Sequence, residues 1–168
     1  GLFSLVFAYV YGRASNFGPR GTAALLALAG FVAIVLVPYL KYPANPPAVS
    51  NPDTLGVRTE LFFIMLVLSV TALAGAVALT RRLSSQYGAW NATVIAGVAF
   101  IIVIAIVQYA MPAISEMPEQ FSADLLWRFR IAALGIQVVL WTTIGLAFGA
   151  LVENGFPDVA AGKLIRSR

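Results

Sequence analysis

Cysteine and histidine are both absent from the 168 residues of this chain. Without cysteine no disulfide framework can form, and without either residue the chain cannot supply a zinc site of the Cys/His type. The lack of histidine also excludes haem or chlorophyll held by an imidazole of this chain. The redox compartment stays open, because the absence of cysteine is compatible with any membrane.

Charged residues are also scarce, at 11% of the chain, against roughly 25% in ordinary soluble domains. Apolar residues make up 60% and form long uncharged runs. A run of 19 residues, at about 1.5 Å per helical residue, extends roughly 28 Å, close to the thickness of a bilayer's hydrocarbon core. The chain is therefore predicted to cross a membrane four times, at residues 22–40, 61–79, 89–111 and 131–152.

The first eleven residues, GLFSLVFAYVY, are apolar but too short to span, and they lack the basic start of a signal peptide. We interpret residues 1–11 as the second half of a spanning helix that begins outside this chain. The predicted fold is an all-α membrane protein, a polytopic helical bundle with four complete transmembrane helices and part of another, in which residues 1–168 form one transmembrane domain.

No nucleophile with a base, phosphate-binding loop or metal triad is present, so we predict no enzyme.

The eleven basic residues are unevenly distributed between alternate connections. Because cytoplasmic loops carry an excess of lysine and arginine, the connections at 12–20 and 81–88 and the C-terminus are expected inside. The proline-rich loop 41–59 and the acidic loop 112–125 are then expected outside. The basic excess is thus a topology signal and not a nucleic-acid surface. The inner group is Arg13, Arg20, Arg81, Arg82, Lys163, Arg166 and Arg168; the outer group is Lys41, Arg58, Arg128 and Arg130, together with Asp53, Glu60, Glu116, Glu119 and Asp124.

Packing signals lie within the spans. Gly145 and Gly149 form a GxxxG motif, which lets helix backbones approach closely. Gln108 and Gln137 are predicted to hydrogen-bond between helices, since an amide inside a membrane needs a partner; the alternative is that they are substrate ligands. Neither feature predicts an activity.

Carboxylates at the expected outer face are the candidate metal ligands. Glu60, at the outer end of the second span, is either a cation-attracting group at a pore mouth or an interfacial residue paired with Arg58 or solvent. Glu116, Met117 and Glu119 in the acidic loop combine carboxylates with a thioether, a set that a divalent transition ion accepts. The alternative is an ordinary solvated acidic loop. We predict these two carboxylates and the thioether, with Glu60, as the metal site.

A set of sequence blocks covers nearly the whole chain: GLFSLVFAYVYGR at 1–13, GPRGTAALLALAGF at 18–31, VPYLKYPANPPAV at 37–49, NPDTLGVRTELF at 51–62, GAWNA at 88–92, LLWRFRIAALGIQ at 125–137 and LWTTIGLAFGALVE at 140–153. These blocks resemble the CbtA family, probable cobalt transporter subunits of bacterial cytoplasmic membranes. The resemblance implies a polytopic inner-membrane protein that works with CbtB, a small single-span partner bearing histidines.

The resemblance also implies a function, namely cobalt uptake that supplies cobalamin biosynthesis, with cobalt as the transported substrate and no resident cofactor. Family members usually begin with another span and a histidine-bearing outer segment, neither of which is in this chain. With them, the protein would have six spans and both ends inside. The alternative function is a structural subunit that scaffolds a larger membrane complex and transports nothing.

Overall fold

The computed structural model describes residues 1–13, 17–46, 52–114 and 121–155. Every element in these ranges is helical, which confirms the predicted all-α class. In chain order the elements are α1 (Leu2–Val10), α2 (Pro19–Gly30), a π-helical segment (Phe31–Leu36), α3 (Val37–Lys41), α4 (Pro52–Ala110) and α5 (Ala123–Gly155).

The first long helix runs without a break from Pro19 to Lys41 through α2, the π segment and α3. It begins at a proline. The first N–H groups of a helix have no intrahelical acceptor, so a proline there loses no hydrogen bond. It ends where Tyr42 leaves helical dihedrals, with φ −124° and ψ 71°, and Pro43 follows. This helix contains the predicted span 22–40.

The π segment, Phe31–Leu36, explains how this helix contains a proline near its end. A proline in a helix interior lacks the hydrogen bond to residue i−4, and its ring crowds that residue's carbonyl. For the buried Pro38 this residue is Ile34, which lies inside the π segment. Local π adjustments are one way in which membrane helices tolerate proline, so the helix continues past it to Lys41.

The helix α4 is a run of 59 residues in which one residue is not helical. Gly88 has φ 76° and ψ 161°, a region of backbone space open essentially to glycine alone. In a straight helix Met65 and Ile104 would lie about 58 Å apart. Both nevertheless belong to one buried cluster. The chain therefore reverses direction at Gly88, and the first half of α4 (residues 52–87) packs against the second half (residues 89–110).

The predicted count of four complete spans and one partial span is not matched. The described part of the chain holds three helices long and apolar enough to cross a membrane, Pro19–Lys41, Thr54–Ala110 and Ala123–Gly155. Two predicted spans, 61–79 and 89–111, fall in one of these helical runs, on the two sides of the reversal at Gly88, because residues 84–87 of the expected connection stay helical. The helix α1 has nine residues and is shorter than a span requires.

The contacts divide the chain into two units. Unit 1 comprises Gly1–Phe31 and Gly135–Arg168, and unit 2 comprises Val32–Leu134. In unit 1, the buried Phe7 of α1 meets Phe148 of α5 edge to face, with ring centroids 5.1 Å apart. The core of unit 2 is formed by the buried side chains Val37, Tyr42, Met65 and Ile104, with Leu61, Phe62, Phe100 and Val107 packed against them.

Large apolar side chains are exposed along all three long helices. Leu40, Ile101 and Val139, one from each, are 68%, 66% and 67% exposed. Water-soluble monomers rarely expose apolar surface on this scale, because each side chain left in water forgoes its hydrophobic stabilisation. These helices are therefore surfaces for lipid or for other membrane helices, as the sequence predicted.

Candidate functional site

The end of the first long helix is a polar stretch within unit 2. Five residues between Tyr39 and Asn45 hydrogen-bond to groups that lie 15 to 91 positions away in the sequence. We call residues 39–45 and their partners, Arg58, Gln108, Pro112 and Arg130, the polar junction. It ties the end of α3 to both halves of α4 and to the first turns of α5.

Two tyrosines anchor the junction through their hydroxyl groups. The Oη of Tyr39 donates to the carbonyl oxygen of Arg130 at 2.5 Å, and the Oη of Tyr42 donates to that of Pro112 at 2.8 Å. Tyr42 is 4% exposed, and this burial raises the pKa of its phenol. Tyr42 is therefore a neutral hydrogen-bond donor at physiological pH.

Lys41 and Gln108 join α3 to the second half of α4. The Nζ of Lys41 donates to the backbone oxygen of Gln108 at 2.7 Å, and the Nε2 of Gln108 donates to the backbone oxygen of Val37 at 2.9 Å. The prediction that Gln108 hydrogen-bonds between helices is confirmed. The same prediction for Gln137 stays a prediction.

Two arginines hold the part of the junction that follows the helix. A terminal nitrogen of Arg130 donates to Oδ1 of Asn45 at 3.0 Å, and a terminal nitrogen of Arg58 donates to the carbonyl oxygen of Pro43. The Nε of Arg130 is buried and has no hydrogen-bond partner among the described residues. A guanidinium has five N–H donors in a fixed fork, so Arg130 retains donor capacity after binding Asn45.

The junction carries positive charge. In the described ranges Lys41 and Arg130 donate to neutral oxygens and not to a carboxylate. The ion pair found in those ranges lies in unit 1, where the Nε of Arg20 is 3.1 Å from Oε2 of Glu153. Protonated lysine and arginine offer donors and no lone pairs, so Lys41 and Arg130 can bind an anion or a neutral acceptor but cannot themselves ligate a metal ion.

Of the four predicted metal ligands, the structure describes Glu60. Glu60 is an exposed residue of the first half of α4. Glu116, Met117 and Glu119 lie outside the described residues. Over the described ranges, no group of three or more aspartate and glutamate side chains is placed to hold a metal ion. The metal site stays a prediction.

In unit 1, α5 meets α2 through glycines. A Cβ added to Gly145 would lie 2.6 Å from the Cβ of Ala27, and one added to Gly149 would lie 2.8 Å from the Cα of Arg20. Both glycines are buried. The predicted close approach of backbones at the GxxxG motif is therefore confirmed.

A cavity of about 250 Å³ lies beside this contact in unit 1. Its lining includes Leu28, Phe31, Trp141 and Leu146, with Thr142 as a hydroxyl-bearing member. Such a lining can accept an apolar group, but it offers no set of ligands for an ion.

Sequence reasoning missed the polar junction. Tyr39 lies at the end of the predicted span 22–40, and Tyr42 and Asn45 lie in the predicted proline-rich outer loop 41–59. Their partners are 70 or more positions away, and no local periodicity reports such a distance. The available signal was the density of hydroxyl and amide groups at the end of an apolar run, where each must find a partner.

The apolar helices and their exposed faces define a multi-pass membrane protein. The profile of the CbtA family, described as probable cobalt transporter subunits, matches residues 1–153. The chain therefore belongs to the CbtA family. No match is found among curated proteins, and none among solved structures.

Proposed function

We propose that this protein is a membrane subunit of a cobalt uptake system of the bacterial cytoplasmic membrane, with its C-terminus on the cytoplasmic side. The observation that carries the proposal is the family match over residues 1–153. The three apolar helices agree with it, since transport across a bilayer requires membrane-spanning elements. The distribution of basic residues supports the orientation.

The charges of the polar junction bear on where a cobalt ion would approach. Lys41 and Arg130 repel a divalent cation, because like charges at partly buried sites interact more strongly than in water. Attraction must then come from carboxylates. We propose Glu60, Glu116 and Glu119, with the thioether of Met117, as the groups that draw the ion toward the protein. Carboxylates suit a hard cation, and the thioether adds the softer ligand that transition metals accept.

Cobalt accumulation in cells tests the carboxylate role. The variants are Glu60→Gln and Glu116→Gln, which remove a charge and keep the side-chain size. Each is expected to lower accumulation several-fold at low external cobalt, where attraction of the ion limits its capture. Glu153→Gln is the matched control, because that carboxylate pairs with Arg20 in unit 1. Accumulation that is unchanged in both variants at equal protein level would refute the role.

We further propose a partner of the CbtB kind, a small single-span subunit bearing histidines, and a supply of cobalt to cobalamin synthesis. The family description as a subunit supports the existence of partners. Imidazoles from a partner would also provide the ligands that this chain lacks.

A scaffold within a larger complex is the second candidate function. The apolar lining of the cavity in unit 1 favours it, because a scaffold needs dry packing surfaces and a transporter needs a polar path. Purification from native membranes, with identification of bound metals and co-purifying chains, separates the two. Cobalt together with a small histidine-bearing chain supports transport. A large assembly without cobalt supports the scaffold.

A further inference from the structure

The positive charge of the polar junction goes beyond what the proposed function explains. Charges held partly out of water are costly unless they are neutralised. Lys41 and Arg130 are both only partly exposed, and both bind neutral oxygens of the protein. Of the three donors of the Lys41 ammonium, one is directed to Gln108. The buried Nε of Arg130 is unpartnered in the described chain.

Lys41 and Arg130 are both linked to the short stretch of residues 39–45. Arg130 hydrogen-bonds to both ends of this stretch: its carbonyl oxygen accepts from Tyr39, and its side chain donates to Asn45. Lys41 lies between these two contacts in the sequence. Of the two cations, Lys41 thus belongs to this stretch and Arg130 is hydrogen-bonded to it. The stretch begins at the end of an apolar helix long enough to span a membrane, a position where lipid head groups are expected.

Exposed apolar side chains lie next to these cations in the sequence. Leu40, which precedes Lys41, is 68% exposed, and Ile131, which follows Arg130, is 49% exposed. Tyr109, which follows Gln108, is 93% exposed. A ligand with an anionic head and apolar chains matches donors flanked by exposed apolar side chains, whereas a small free anion would use only the donors.

We propose that Lys41 and Arg130 bind the phosphate of an anionic phospholipid at the polar junction, with the acyl chains against the neighbouring apolar side chains. Arginine contributes a fork that matches two phosphate oxygens, and lysine contributes a point charge. The site is independent of cobalt transport, because neither residue is among the proposed metal ligands.

Lipid binding to the purified protein in detergent tests the proposal. Phosphatidylglycerol, phosphatidylcholine and inorganic phosphate are titrated separately, and bound lipid is counted by native mass spectrometry. We expect phosphatidylglycerol to bind preferentially. Lys41→Gln and Arg130→Gln should each weaken its binding about fivefold, the effect of one basic residue near an anionic membrane surface.

Two further variants separate a specific site from its alternatives. Arg128→Gln removes the same charge from an exposed position two residues before Arg130 and should leave binding within twofold. Arg130→Lys keeps the charge and should retain more binding than Arg130→Gln, which excludes simple misfolding.

Three results would overturn the proposal. The first is equal binding of phosphatidylglycerol and phosphatidylcholine. The second is an equal loss in Arg128→Gln, which would mean that general surface charge is responsible. The third is inorganic phosphate competing fully for the site at the concentration of the lipid, which would mean that the ligand is a free anion.

Discussion

At the scale of single residues, two glycines determine how closely α5 approaches α2 within unit 1. Gly145 and Gly149 are four positions apart, so they lie on one face of the helix. The atoms that an added side chain would meet at Gly149 include the backbone of Arg20, which cannot move without moving α2. In a bilayer, where water does not drive helices together, such close packing is a main source of association.

Gly149→Ala is therefore expected to destabilise the protein by about 1–3 kcal/mol, the range for overpacking a close contact. The physical reason is the 2.8 Å contact between the new Cβ and the Cα of Arg20. The measurement is the thermal unfolding midpoint of the purified protein in detergent, which should fall.

Gly135→Ala is the matched control in the same helix. A Cβ at Gly135 meets nothing within 4 Å, and alanine favours helix over glycine by about 1 kcal/mol. Its midpoint should stay level or rise. If Gly149→Ala and Gly135→Ala both had the unfolding midpoint of the wild type, the glycine contact would not stabilise the fold.

At the scale of elements, the reversal within α4 depends on one backbone conformation. Only glycine adopts the φ and ψ of Gly88 without strain, and this residue separates the two halves of a 59-residue run. The other glycines of α4, Gly56, Gly75 and Gly97, are open to solvent or lipid and have no positive φ. The backbone conformation of Gly88 alone therefore allows the first half of α4 to pack against the second half.

Gly88→Ala is expected to cost about 1–3 kcal/mol through backbone strain alone, since a Cβ at this position would meet no neighbouring atom. A lower unfolding midpoint should be accompanied by a larger separation of Met65 and Ile104, whose shared cluster needs the reversal. Cross-linking of a cysteine pair at these two positions would report that contact.

Gly97→Ala serves as the comparison, because it lies in a helical part of α4 with open space around it. In Gly97→Ala, the cysteine pair at positions 65 and 104 should cross-link as efficiently as it does in the protein that keeps Gly97. Equal cross-linking in Gly88→Ala would show that the turn tolerates a side chain, contrary to its dihedral angles.

The elements differ in how far the sequence predicted them. The all-α class and the long membrane helices were predicted from the apolar composition and its uncharged runs. The close contact of α5 with α2 was predicted from the spacing of Gly145 and Gly149. The span count did not, because residues 84–87 read as a loop by composition yet remain helical up to Gly88. The hydrogen bonds of Tyr39 and Tyr42 were also not predictable, because their acceptors are backbone carbonyls that any residue could supply.

At the scale of the whole molecule, the proposed orientation rests on the basic residues, seven of which lie in the connections and tail expected inside. The absence of cysteine makes this testable, since an introduced cysteine is then the single thiol of the chain. Exposed positions are available in both kinds of connection. Ser85 lies before the reversal in α4, and Ala113 lies after its end.

A membrane-impermeant thiol reagent should label Ala113→Cys in cells whose outer membrane has been opened. Ser85→Cys should react only after the cytoplasmic membrane is also permeabilised. This expectation rests on the positive-inside distribution of lysine and arginine. The reverse pattern would invert the proposed topology, and labelling of both positions from one side would show that the halves of α4 do not each cross the bilayer.

The central claim, a subunit of a cobalt uptake system, is tested most directly by the cobalt content of cells at low external cobalt. Cells that produce the protein together with its native membrane neighbours are compared with cells that lack this chain alone. The account predicts several-fold more cobalt in the first, because a missing subunit disables the whole transporter. Equal cobalt in both would contradict the account and leave the scaffold as the function of this chain.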